Sequence, residues 1–455
     1  MAGGRVSTEP TDGRRRYALI GAGARAEMFL RAVAIEHADR ARLVGLVDVN
    51  QTRMDVHNRW LTAAGAPAVP TYPATGFTRM LAEQRVDEVV VTTVDRTHAD
   101  YVVAALDAGC DVITEKPMTV DVDGCRRILA AVDRTGRRVS VAFNYRFKPV
   151  HETVRQVLAS GEIGEIGSVH FEWLLDVRHG ADYFRRWHRD KANSGGLLVH
   201  KSGHHFDLVN WWLGGAPREA YAMGRLFFYG EAGARHGYAR DYPRVHGSPA
   251  AADDPFALHL ADNPRLRELY LDAESSDGYQ RDLNVFAPGV SIEDDMAVLV
   301  RYDTGATMTY HLTAYAPWEG YRLMVNGSRG RLELEVVEND HVSAAGAGEL
   351  TGAAVHGEAE AAEQGWASLT VRPFWAPPRE VPLPPATRGG HGGADERMTA
   401  VLLGAQTDPL ARSATARDGA LALLTGLAAN RSMETGAPVR VADLLDLNSV
   451  RGVHV

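Results

Sequence analysis

The stretch "YALIGAGARAEMFLRAVAIEH", residues 17–37, admits few folds. A short apolar run enters a glycine-rich turn and leaves as a helix with apolar periodicity. Gly21 supplies the tight turn. Gly23 lets the backbone approach a ligand at the helix N-terminus, and Ala26 takes the third position of the pattern, which demands only close helix–strand packing. Up to Phe143 the alternation continues. Strand-like "ARLVGLVD", "DEVVVTT", "DVITE" and "RVSVAF" are separated by helix-like "QTRMDVHNRWLTAAG", "HADYVVAALDAGC" and "VDGCRRILAAVDRTG". Strands alternating with helices of this length predict a parallel sheet covered on both faces, a Rossmann-type dinucleotide-binding domain over residues 17–148.

Beyond Lys148 the pattern changes. "SVHFEWLLDV", "AVLVRYDTGATMTYHLTAY" and "RGRLELEVV" alternate with period two, which predicts an α/β domain over 149–455 with a large, mostly antiparallel open sheet. Residues 230–290 and 340–365 read as insertions, and residues 414–432 as a helix packing back on the first domain. The polar residues 1–16 are expected to be a disordered tail without the apolar centre of a secretory signal. With 455 residues the chain is long enough for two cores. A net charge of -9 with no basic block argues against a nucleic-acid or anionic-membrane partner, and no apolar run is long enough to cross a membrane. Two cysteines are too few for a disulfide framework, so a reducing, cytoplasmic location is expected.

Three clusters carry the chemistry. Asp48, at the end of the second strand, is placed to accept bonds from ribose hydroxyls and to repel a 2′-phosphate, which favours NAD over NADP. Lys116 closes the fifth strand in "VITEKPMTV" and is one of four lysines in a chain with forty-five arginines. A lysine can be tuned to exchange a proton, and an arginine cannot. In "SGGLLVHKSGHHFDLVNWWLGG", residues 194–215, helical spacing puts His200, His204 and Asp207 on one face. Two histidines four apart suit zinc, but no third ligand of familiar spacing or HExxH glutamate accompanies them, so no metal is expected. The preceding "RHGADYFRRWHRDKANSGG" mixes aromatic faces with forked donors, a combination that suits a polyhydroxylated ring. The insertion segment "YLDAESSDGYQRDLNVF" has a similar makeup and is expected to act as a lid.

In their order, the GxGxR turn, EKP, "NYRF" and the glycine pair leading into "HKSGHHFDLVNWWLG" resemble the Gfo/Idh/MocA oxidoreductase family. The resemblance implies NAD(P)-dependent oxidation or reduction of a sugar or polyol, and a homodimer or homotetramer formed through the C-terminal sheet. It maps the family's catalytic lysine onto Lys116 and its helical histidine onto His204. The aspartate usual four residues earlier is His200 here, which makes His200 a third candidate. On this reading NAD is expected to contact Gly21, Gly23, Ala24, Arg25, Asp48, Thr93, His98 and Glu115. A carbohydrate substrate is expected to contact Arg146, Arg186, Trp187, His188, Lys201 and Asp207. Two alternatives stand beside a sugar or glycoside dehydrogenase: an NAD-dependent glycosidase that oxidises, eliminates and re-reduces, and a non-catalytic sensor on the same fold.

Overall fold

A computed structural model describes residues 13–342, 365–384 and 392–447. The first six strands are β1 (Arg15–Ile20), β2 (Ala41–Asp48), β3 (Thr71–Pro73), β4 (Glu88–Val91), β5 (Asp111–Thr114) and β6 (Val139–Val141). Among them lie helices α1 (Ala26–Arg31), α2 (Gln51–Ala63), α3 (Phe77–Glu83), α4 (His98–Asp107) and α5 (Val122–Thr135). The strands pair in parallel in the order β6-β5-β4-β1-β2-β3. All four residues of β4, "EVVV", are buried, because helices cover both faces and leave no solvated side to alternate toward. Helix α5 starts where the Asp121 side chain accepts the Gly124 amide and stops at the left-handed Gly136.

The remaining strands are β7 (Ile166–Asp176), β8 (Pro217–Arg225), β9 (Asp295–Tyr302), β10 (Thr307–Ala316), β11 (Glu319–Gly327), β12 (Gly330–Asn339), β13 (Trp366–Pro373), β14 (Arg379–Glu380), β15 (Ala414–Thr415) and β16 (Val439–Arg440). The helices of this part are α6 (Pro149–Ala159), α7 (Val177–Phe184), α8 (Lys191–Ser194), α9 (Leu197–His200), α10 (Ser202–Leu213), α11 (Pro264–Leu266), α12 (Glu274–Asp277), α13 (Ala394–Leu402), α14 (Ala416–Thr435) and α15 (Val441–Leu444). Nine strands form one sheet in the order β14-β13-β12-β11-β7-β10-β9-β8-β16, antiparallel apart from the β7–β10 pair. In β9 the inward Met296, Val298, Val300 and Tyr302 are buried, while Leu299 and Arg301 between them are exposed. The sheet therefore has one helix-covered face and one open face, as the period-two pattern requires.

One boundary differs from the sequence reading. Strand β1 begins at Arg15, inside the expected tail, because Arg15 is anchored by ion pairs to Glu88 at 3.0 Å and Asp111 at 2.5 Å. The insertion expected at 340–365 lies largely outside the described residues. The C-terminal helix α14 packs on α5 and β6 of the first domain and more extensively on α9, α10 and β8 of the second. Just before it, β15 pairs antiparallel with β6, adding an edge strand to the first sheet.

Candidate active site

The glycine turn has the strain its sequence implies. Gly21 has φ +100°, and a Cβ there would lie 2.5 Å from the Thr92 carbonyl carbon, so only glycine fits between β1 and β4. At Gly23 an added Cβ would meet the Tyr270 hydroxyl at 3.8 Å. Asp48 braces the turn. Its carboxylate accepts the Ala22 amide at 2.5 Å and the Asn50 amide at 2.7 Å. His57 meets the Ala22 carbonyl at 3.0 Å, and burial pulls its pKa down to about 4.

The insertion docks on this turn. The Ala24 amide donates to the Tyr270 hydroxyl at 3.0 Å, Asn50 donates to the Ala273 carbonyl at 2.9 Å, and Arg53 donates to the Leu269 carbonyl at 3.0 Å. Arg53 also pairs with Asp277 at 2.7 Å. Val56 packs with Leu258, Leu260, Leu266, Leu269 and Tyr270 in a small apolar cluster of their own. The expected lid thus lies on the glycine turn and α2, and reaches α7 through Arg281, which grips Asp182 at 2.8 Å.

Several expected cofactor contacts are engaged elsewhere. Arg25 is bound by Glu115 at 2.5 Å and by Asp395 at 2.9 Å, and Asn144 donates to the same aspartate at 2.8 Å. Arg25 and Glu115 therefore tie the turn and β5 to α13, because a buried guanidinium and carboxylate need each other as partners. His98 sets its ring nitrogens against the carbonyls of Pro117 at 2.8 Å and Thr93 at 3.1 Å, which braces two loops instead of leaving a donor for the cofactor. Thr93 accepts a bond from Thr97 at 2.8 Å.

Lys116 follows β5, with a cis bond to Pro117. Its Nζ lies 3.3 Å from Nε2 of His200 and 3.3 Å from the His200 carbonyl. Nδ1 of His200 lies 2.5 Å from the carboxylate of Asp95, in the loop after β4. Burial is the main force on both ends: it lowers the Lys116 pKa to about 8 and raises that of Asp95 well above the carboxylate range. His188 packs edge-on against His200 at 4.2 Å, and Trp187 stacks on His188 at 3.5 Å. Arg186 pairs with Asp182 at 3.0 Å, the carboxylate that Arg281 also holds.

The histidine segment is two helices, α9 and α10, joined at Lys201, so its residues point to different neighbours. His200 meets Lys116, whereas His204 stacks flat on Tyr145 at 4.2 Å. Lys201 donates to the Tyr145 hydroxyl at 3.0 Å, and burial lowers its pKa to about 8. Arg146 and Asp207, expected to bind substrate, are closed on each other by two bonds of 2.8 and 2.6 Å, with side chains only 2% and 1% exposed. They pin α10 to the 3-10 turn Asn144–Phe147 and, through Asp418, to α14, because a buried charge is held where its counter-ion is.

The three residues weighed for a metal are thus dispersed. Among the described residues, the set that does converge is Asp95, His188 and His200, each offering a ligand atom within 4.8 Å of the others. There Nε2 of His200 already faces the Lys116 amine, whose positive form repels another cation. Sequence reasoning missed Asp95, Tyr145, Tyr270, Arg53 and Asp277. Asp95 did carry a signal, an acidic residue just past a strand at the ligand-binding edge of the sheet.

The family's NAD-binding Rossmann domain matches residues 15–143, and its C-terminal alpha/beta domain matches residues 155–441. The chain belongs to the Gfo/Idh/MocA oxidoreductase family. It is 33% identical to YteT of Bacillus subtilis (strain 168) over 447 residues, 93% of this chain and 96% of that protein. It is 31% identical over 202 residues to an inositol 2-dehydrogenase of Rhizobium meliloti (strain 1021), 44% of this chain and 56% of that one. The fold is shared with the WlbA dehydrogenase from Bordetella pertussis in complex with NADH and UDP-GlcNAcA. There the TM-score is 0.59 at 18% identity, covering 94% of this chain and 98% of that one. As in other members of the Gfo/Idh/MocA family, a Rossmann sheet is followed by a mixed, mostly antiparallel sheet; in this chain Lys116 of the first domain meets His200 of the second.

Proposed function

We propose that this oxidoreductase oxidises a ring hydroxyl of a sugar, polyol or glycoside with NAD. The observation that carries the reading is the buried row Lys116–His200–Asp95, with 3.3 Å and 2.5 Å between successive groups. Such a row accepts a hydroxyl proton and moves it inward. The glycine turn suits a dinucleotide, since Gly21 permits the tight bend, Gly23 puts no side chain over it, and Asp48 ends the second strand beside it. NAD, when bound, supplies the hydride acceptor. Lys116 hydrogen-bonds the reacting oxygen, stabilises its developing negative charge, and exchanges its proton with Nε2 of His200. Asp95, 2.5 Å from Nδ1, fixes the orientation of His200. His204, one helical turn on, is stacked against Tyr145. Trp187, His188 and Arg186 give the ring an aromatic face and donors. That an inositol 2-dehydrogenase is among the relatives supports a polyol or sugar as substrate.

The test is to incubate the protein and NAD with a panel of free sugars, polyols and glycosides. Absorbance of NADH and the chemical products are followed together. NADH appearing in step with a keto product is the expected result. Glycoside cleavage without net NADH would replace this reading with the redox-neutral glycosidase, and no turnover on any member would overturn both.

A further inference from the structure

The insertion does more than cover the turn. Arg53 sits in the first turn of α2, five residues after Asp48, at the same edge of the sheet. A cation so placed beside a ribose would ordinarily suit a 2′-phosphate, which guanidinium groups bind by forked hydrogen bonds. Here the group is taken. Nη1 of Arg53 lies 2.7 Å from Asp277 in α12, with side chains 9% and 15% exposed, and Nε donates to the Leu269 carbonyl. The rings of Tyr270 and Tyr279 lie 5.7 and 5.6 Å from the same guanidinium. Asp48, Arg53 and Asp277 are electrostatically linked. Burial is the largest influence on Asp48 and raises its pKa, while Arg53 lowers it and Asp277 raises it.

We propose that Asp277 is a determinant of cofactor choice: by holding Arg53, it withholds the guanidinium from a 2′-phosphate and adds a second negative charge beside Asp48. This rests on the reading of the turn as an NAD site. It makes selectivity a joint property of the two domains, because the discriminating carboxylate is carried by the insertion of the second. A phosphate approaching Asp48 meets two carboxylates and an occupied cation, whereas a 2′-hydroxyl meets an acceptor in Asp48.

The test is fluorescence titration of NADH and NADPH on the full chain, which needs no substrate. The wild type should bind NADH more tightly. Asp277→Asn keeps the shape but removes the charge, and should move the NADPH-to-NADH affinity ratio toward NADPH by about tenfold or more, the change expected for one recovered charged contact. Arg53→Met alone should leave NADPH affinity within about twofold, since its cation is already engaged, and in combination with Asp277→Asn should abolish the gain. An Asp277→Asn ratio within about threefold of the wild type, with NADH binding intact, overturns the proposal. So does a loss of NADPH affinity above about fivefold in Arg53→Met, and this arm decides the matter if Asp277→Asn fails to fold. A wild type that binds NADPH as tightly as NADH would instead overturn the NAD reading itself, before any variant is compared.

Discussion

The hydroxyl of Tyr270, from the insertion, accepts the amide hydrogen of Ala24 in the glycine turn at 3.0 Å. In a Rossmann turn that amide is where a pyrophosphate oxygen is received. The hydroxyl and the cofactor therefore compete for one donor. Tyr270→Phe keeps the ring in its apolar cluster and removes the competitor. A net hydrogen bond is worth about 1 kcal/mol, so NAD should bind about fivefold more tightly to the variant. Weaker binding by calorimetry would make the hydroxyl a ligand of the cofactor instead of its rival.

Lys116 is expected to set the alkaline limb of the pH profile. With its pKa lowered to about 8, the amine is protonated below that value and free to accept a proton above it. Oxidation should accelerate as pH rises through about 8, and Lys116→Arg should lose that limb together with about 10²-fold or more in kcat, NAD affinity being kept. A near wild-type rate in Lys116→Arg would remove the lysine from proton transfer.

Nε2 of His200 is within 3.3 Å of the Lys116 amine, while His204 lies against Tyr145. His200→Ala should therefore cost about 10²-fold in kcat, and His204→Ala about tenfold at most. In the Lys116→Arg background His200→Ala should add little, because both act on one proton. A larger loss at His204 would restore the order that family resemblance suggests.

Arg146 and Asp207 are expected to act on stability. Removing one partner of a buried ion pair costs roughly 3–5 kcal/mol, so Asp207→Asn should lower the urea midpoint markedly. The folded fraction of the variant should show a nearly unchanged KM. A KM raised about tenfold with stability intact would return Asp207 to the substrate.

Activity should also survive exhaustive chelation. Asp95, His188 and His200 converge, but His200 is engaged by Lys116 on one nitrogen and by Asp95 on the other. Stoichiometric zinc, with activity lost on its removal, would replace the relay with a metal centre.

What the sequence disclosed follows from the range of the interactions involved. Local signals were legible: the glycine turn, the two sheet types, and Lys116 at a strand end all depend on neighbours in the chain. The partners of charged residues were not. Arg25 with Asp395 and Arg146 with Asp207 join residues far apart in sequence, and nothing local distinguishes an arginine awaiting a substrate from one that has its carboxylate. The face shared by His200, His204 and Asp207 was read from helical spacing. The break at Lys201 and the stacking of His204 on Tyr145 depend on packing from another segment. The insertion was recognised by composition as a lid, but its seat on the glycine turn depends on Tyr270, Ala273 and Leu269 meeting α2 across the domain boundary.

The pairing of β15 with β6 bears on how the chain matures during synthesis. Residues 414–415 supply the outermost strand of a sheet whose other members have all been translated by residue 141. Until they emerge from the ribosome, β6 presents an open ladder of amides and carbonyls, the kind of edge at which nascent chains pair with the wrong neighbour. Helix α14 follows at once, started by the reciprocal Thr415–Asp418 cap. The closing strand and its clasp thus arrive together, long after the rest of the sheet. A ribosome-bound chain halted before residue 414 should be held by chaperones, and one extended past residue 435 released.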